Sequence, residues 1–148
     1  MIKKLSQILF SFSLLFSLIS YAEAHCEIPC GIYDDEMRIN MIAEEIITIE
    51  KSMNQINAIE KSKTPDYNQL IRWVMNKDHH ADMLQDIVAK YFMTQRIKPD
   101  TKEYDKKLAL LHQMLIYSMK CKQTTDLDNI NKLRTLVQDF KSLYFPGK

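Results

Sequence analysis

Cys26 and Cys30 stand four residues apart in the run His25-Cys26-Glu27-Ile28-Pro29-Cys30-Gly31-Ile32-Tyr33-Asp34, with a proline before the second thiol and a glycine after it. The preceding residues, Tyr21-Ala22-Glu23-Ala24, place alanine at −3 and −1 of a cut after Ala24, the small-residue pattern a signal peptidase reads. Such a cut makes His25 the mature N-terminus, with a free α-amine beside its imidazole. That amine and the deprotonated backbone nitrogen of Cys26 close one chelate ring. The same nitrogen and the Cys26 sulfur close a second. Pro29 fixes φ and Gly31 admits conformations other residues resist, so the chain can turn and bring the Cys30 thiolate to the open corner. A planar set of two nitrogens and two sulfurs suits Ni(II) or Cu(II), whereas zinc prefers a tetrahedral site. The His25 imidazole remains as an axial ligand. These donors outline a redox centre.

The whole run resembles the nickel hook of the nickel-containing superoxide dismutases, H-C-x-x-P-C-G-x-Y, and matches each of its fixed positions. The resemblance implies one nickel ion per subunit, held by the amine and imidazole of His25, the amide nitrogen and thiolate of Cys26, and the thiolate of Cys30. It places Tyr33 beside the open face of the metal. Beyond the hook it rests on the helix layout and on the pair Tyr91-Phe92, and so implies a catalytic place for Tyr91 as well. The two phenols would hydrogen-bond substrate or water and restrict access to small anions. Superoxide as substrate, and a homohexamer whose subunits cover each other's hooks, are implied by the same resemblance. In the family a carboxylate on the first helix and an arginine orient the imidazole. Here the stretch Arg38-Ile39-Asn40-Met41-Ile42-Ala43-Glu44 presents no carboxylate at a matching place, so neither residue is carried over.

The donor set suits the chemistry. Superoxide dismutation needs a metal that takes an electron from one superoxide and gives it to another. The aqueous Ni(III)/Ni(II) couple lies too high for this. Thiolates and an amidate donate charge and stabilise Ni(III), and an axial imidazole favours the higher state further. Hydrogen bonds to that imidazole then set its orientation.

Two plainer readings stand beside this one. An exported chain meets an oxidising compartment, where Cys26 and Cys30 can pair as a disulfide. The protein is then a non-catalytic helical bundle, or one whose N-terminus binds metal without turnover; nickel content separates these from an enzyme. Copper delivery would fit the nine methionines, but these are scattered along helix faces and read as core filling.

The rest of the chain must carry the hook. Residues 1–24 read as a signal peptide that is removed: Lys3 and Lys4 begin it, and an apolar run extends from Ile8 to Ile19. The run is broken by Ser11, Ser13 and Ser17 and is too short for a membrane span, so no stable membrane association is expected after its removal. Export to the periplasm or beyond the cell is the expectation, with a cytoplasmic protein cut at the same bond as its competitor. Taking Lys3, Lys4 and Glu23 from 20 Lys+Arg and 19 Asp+Glu leaves a formally neutral mature chain, which excludes nucleic acid as an evident partner.

Residues 25–34 form the hook and 35–148 one domain. Glycine occurs only at 31 and 147, and the apolar positions recur at helical spacing. Four helices are predicted, over about 35–61, 67–94, 101–122 and 126–143. Their seams are Ile39, Ile42, Ile46, Ile49, Met53 and Ile56; then Leu70, Val74, Ala81, Leu84, Val88 and Tyr91, interrupted by Lys77; then Tyr104, Leu108, Leu111, Leu115 and Met119; and last Leu127, Ile130, Leu133, Val137 and Phe140. Amphipathic helices joined by short connections make an all-α, antiparallel four-helix bundle, with the irregular metal-binding hook at its N-terminus. His79 and His80, with Asp82, read as a solvated polar face, His112 as a core-edge or interface residue, and Cys121 as a partly buried small residue.

Overall fold

The computed structural model describes residues 32–147. Four α-helices run from Asp35–Glu60 (α1), Tyr67–Asp86 (α2), Tyr104–Gln123 (α3) and Asp128–Tyr144 (α4), and a π-helical segment, Ile87–Arg96, continues α2. Two starts are capped. Asp34 Oδ1 accepts from the Met37 amide at 2.9 Å, and Asp66 Oδ1 from the Gln69 amide at 3.1 Å, each satisfying an orphan donor of the first turn. Helix α3 starts at Tyr104, later than expected, because Glu103 sits in the left-handed region at φ 58°.

Side-chain pairs set the direction of each helix. Along α1 and α2, Asp35 meets Tyr91, Glu45 meets His80 and Ser52 meets Asn76, so the numbers run oppositely. Lys77 reaches Cys121, Ser118 reaches Ala81, and Gln85 reaches Leu115, which makes α2 and α3 antiparallel. Asp35 meets Tyr144 while Asn57 meets Thr125, so α4 returns beside α1 and closes the ring. The bundle is all-α and antiparallel, as expected.

The α1 seam is buried at all six predicted positions, from Ile39 to Ile56. In α2 the core begins later than predicted: Ala81, Leu84, Ile87, Val88, Tyr91 and Phe92 are buried, but Leu70 is half-buried and Val74 is 38% exposed. In α3 the predicted row is rotated. Leu111 is common to both rows, yet the buried row is Lys107, Leu111, Met114, Ser118 and Cys121, and Met119 is exposed. Hydropathy selects against lysine and serine at core positions. Here the Ser118 hydroxyl donates to the Ala81 carbonyl at 3.0 Å, and the Lys107 ammonium lies 5.3 Å from the Tyr144 ring centre, so both are accommodated. In α4, Ile130, Leu133, Leu136, Val137 and Phe140 are buried and Leu127 is half-buried.

Lys77 is buried for a definite reason. Its Nζ donates to the carbonyls of Cys121 at 2.7 Å and Lys122 at 2.5 Å, and to Asp78 Oδ1 at 2.9 Å. Those carbonyls belong to the last turn of α3 and have no partner along their own helix, and a cation suits the negative end of its dipole. Cys121, alongside, is fully buried and free, and burial pushes its thiol up to about 11.

Candidate functional site

His25, Cys26 and Cys30 lie outside the described residues; Tyr33 and Tyr91 lie within them. Tyr33 stands just before α1 and Tyr91 in the π segment, 58 positions apart in the chain. The fold brings their rings together edge to face, with centres 6.2 Å apart and planes at 64°. Tyr33 is 37% exposed and Tyr91 only 3%. The two aromatic residues that the sequence singles out therefore do share one place.

That place is built around a residue that the sequence alone does not single out. Asp35 accepts four side-chain hydrogen bonds. Its Oδ1 takes the Tyr91 hydroxyl at 2.6 Å and Arg96 Nε at 2.8 Å, and its Oδ2 takes Arg96 Nη2 at 2.8 Å and the Tyr144 hydroxyl at 2.8 Å. An ionised carboxylate has about four lone-pair sites, so this one is filled. Burial works to raise the Asp35 carboxyl, but the forked bond from Arg96 and the two phenols outweigh it and hold it below its ordinary value. Arg96 is correspondingly raised by that same bond. Burial, then the bond to Asp35, pushes both phenols up, Tyr144 to about 12.

All four groups are therefore in fixed protonation states near neutral pH. The one proton of the Tyr91 phenol is given to Asp35, so in this arrangement its oxygen can only accept from a further partner.

The π segment explains how two of the donors converge. Tyr91 and Arg96 are five residues apart. On an ideal α-helix five residues turn the chain through about 500°, leaving the two side chains about 140° apart. The wider i→i+5 turn brings residues at that spacing to one side. Side chains support the widened turns as well: Thr94 Oγ1 donates to the Ala89 carbonyl at 2.8 Å and Gln95 Nε2 to the Lys90 carbonyl at 3.1 Å, both five residues back. No simple sequence signal marks such a segment, so Arg96 is not found by reading the sequence. Tyr144 escapes such a reading because it closes the site from the far end of the chain.

Around this hub the aromatic groups continue inward, Tyr91 to Phe92 and Phe92 to Phe140 and Tyr144, with ring centres 5.0 to 5.7 Å apart. The Arg96 guanidinium lies over the Tyr33 ring at 4.5 Å, and that of Arg38 over the Tyr91 ring at 5.1 Å. Arg38 has no carboxylate partner among the described residues; its Nη1 meets the Met41 sulfur at 3.8 Å, and its Nε is buried without a partner. With Arg96 paired to Asp35, Arg38 is the guanidinium of this aromatic corner with no carboxylate partner among the described residues, and its charge can attract a small anion. An open cleft of about 400 Å³ along the start of α1 is a poorer place for one, since Asp34, Glu36 and Glu44 line it with Met37, Asn40 and Met41.

The other histidines separate. His80 Nδ1 lies 2.5 Å from Glu45 Oε2, inside the bundle rather than on a solvated face, while His79 is exposed with its ring against that of His80. His112 is exposed rather than at the core edge. Among the described residues no three His, Cys, Asp or Glu side chains are grouped to hold a metal ion. Among them, too, no helix is long and apolar enough to cross a membrane.

A family model described as nickel-containing superoxide dismutase matches residues 20–148, which takes in the whole hook and every helix of the bundle. No curated protein and no solved structure matches the chain.

Proposed function

The chain belongs to the nickel-containing superoxide dismutase family, a family of nickel-dependent oxidoreductases, and from that membership we propose that His25, Cys26 and Cys30 hold the metal and that Tyr33 and Tyr91 stand beside it. The match running through the hook carries the reading, and the donor set of those three residues suits a planar nickel site. When bound, nickel supplies the Ni(III)/Ni(II) couple by which one superoxide is oxidised to dioxygen and a second, with two protons, is reduced to hydrogen peroxide.

The chain's own residues supply the remainder. The His25 amine and the Cys26 amide and thiolate bind in sequence order, so the mature N-terminus must begin at His25. The Cys30 thiolate would supply a further ligand, and the charge of both thiolates, absent from serine hydroxyls, would favour the oxidised metal. Arg38 draws the superoxide anion toward the aromatic corner, and the aromatic wall of Tyr33 and Tyr91 keeps larger anions out. Tyr91, its proton committed to Asp35, orients and accepts rather than donates. Removal of the leader by export, and a homohexamer that covers each hook with a neighbouring subunit, complete the reading. Metal analysis on the purified mature protein, with intact mass and superoxide decay on the same sample, tests it. The expected result is one nickel per chain starting at His25 and rapid decay; a nickel-free protein with a Cys26–Cys30 disulfide would overturn it.

A further inference from the structure

The Asp35 hub reaches one residue further than its hydrogen bonds. A guanidinium carries its N–H donors on its edges and none on its faces. Arg96 gives an edge to Asp35 through two bonds of 2.8 Å, and that forked contact fixes the plane of the group. Its Cζ, so held, lies over the Tyr33 ring, 4.5 Å from the ring centre. Asp35 also holds Tyr91, against whose ring Tyr33 rests edge to face. The Arg96 and Tyr91 side chains that pack against Tyr33 are thus both held by one carboxylate at the first position of α1.

We propose that Asp35, acting through Arg96 and Tyr91, is the positioning residue for Tyr33. It clamps that phenol in the orientation the dismutation site uses. The inference rests on the reading of Tyr33 as the tyrosine beside the metal. A carboxylate that only tied helices together would need Tyr144, on α4, and Tyr91, on the π segment. It would not need a forked arginine whose guanidinium also lies over the Tyr33 ring. The π segment belongs to the same device, because without its wider turn Tyr91 and Arg96 would not both face Asp35.

The test is a double-mutant cycle on the nickel-loaded mature protein, using Tyr33→Phe, Asp35→Asn, Arg96→Lys and the two doubles with Tyr33→Phe. Arg96→Lys keeps the charge and loses the fork, so it carries the test if Asp35→Asn does not fold. Superoxide decay is followed by pulse radiolysis, nickel occupancy is measured on the same samples, and the Tyr33 ring resonance is read in selectively labelled protein. Asp35→Asn and Arg96→Lys should each displace that resonance and lower the rate constant about tenfold at full occupancy, misplacement by about an ångström being able to cost up to ~100-fold. Neither should lower it further once the Tyr33 hydroxyl is gone. An unmoved resonance, or losses that multiply with that of Tyr33→Phe, would overturn the clamp alone. A Tyr33→Phe variant with wild-type rate and full nickel would instead overturn the reading of Tyr33, and the inference with it.

Discussion

Replacing Asp35 with asparagine tests the energetics of the hub apart from catalysis. Removing one partner of a buried charge pair typically costs about 3–5 kcal/mol, most of it the penalty of leaving the other charge unpaired. The Arg96 side chain is 30% exposed against 15% for Asp35, so the guanidinium can recover water and the penalty falls. The buried Tyr91 hydroxyl has no such recourse, although the remaining amide oxygen of asparagine can still accept from it. The expected loss is about 2–3 kcal/mol, or about 10 °C in Tm for a domain of this size.

Its pH dependence is the sharper measurement. The Asp35 carboxyl is held below its ordinary 3.8 in the folded protein, so its contribution is complete above that value. As pH falls below 3.8 the unfolded chain takes up the proton first, and the contribution drains away toward the folded value. Urea denaturation of both proteins across pH 7 to 2.5 should therefore give a constant difference down to about pH 4 and a shrinking one beneath it. Equal stability at neutral pH, or a difference that stays flat through the acid range, would refute the account. At the alkaline end the raised phenols act in the opposite direction. Stability is kept below the ordinary tyrosine value of 10 and lost as pH climbs toward the folded value of about 12 for Tyr144, because the unfolded phenols ionise first.

Lys77→Met should destabilise the bundle by about 1–2 kcal/mol in the same denaturation assay, the low end for orphaned carbonyls, since a cavity of about 300 Å³ beside Lys77 admits water to the end of α3; a loss above about 4 kcal/mol would show that water does not reach them. Cys26→Ser and Cys30→Ser should each abolish superoxide decay, whereas Cys121→Ser, in the buried core of the bundle, should leave it nearly intact at full nickel occupancy; wild-type turnover in either hook variant would defeat the donor set. His25→Ala should still bind nickel through its amine, yet lose turnover for want of the imidazole, as metal analysis and pulse radiolysis on one sample would register. Intact mass should place the mature N-terminus at His25, and light scattering of the nickel-loaded protein should return six subunits rather than one.

The residues proposed to bind metal can be named without any fold, because the chelation expected of His25, Cys26 and Cys30 is local: neighbouring donors along the chain would define it. The helices were legible for a similar reason. Apolar residues three and four apart on α1 can only be buried together, and all six are. Polar burial was not legible, since Lys77, Lys107 and Ser118 each rely on partners that lie on other helices. The same applies to the corner around Asp35. Its donors come from positions 91, 96 and 144, and they meet because α4 returns beside α1 and the π segment widens one turn. Periodicity within a helix holds no information about which carboxylate a distant arginine will find. That choice belongs to the packing, where a buried charge must be matched wherever the chain happens to bring its partner.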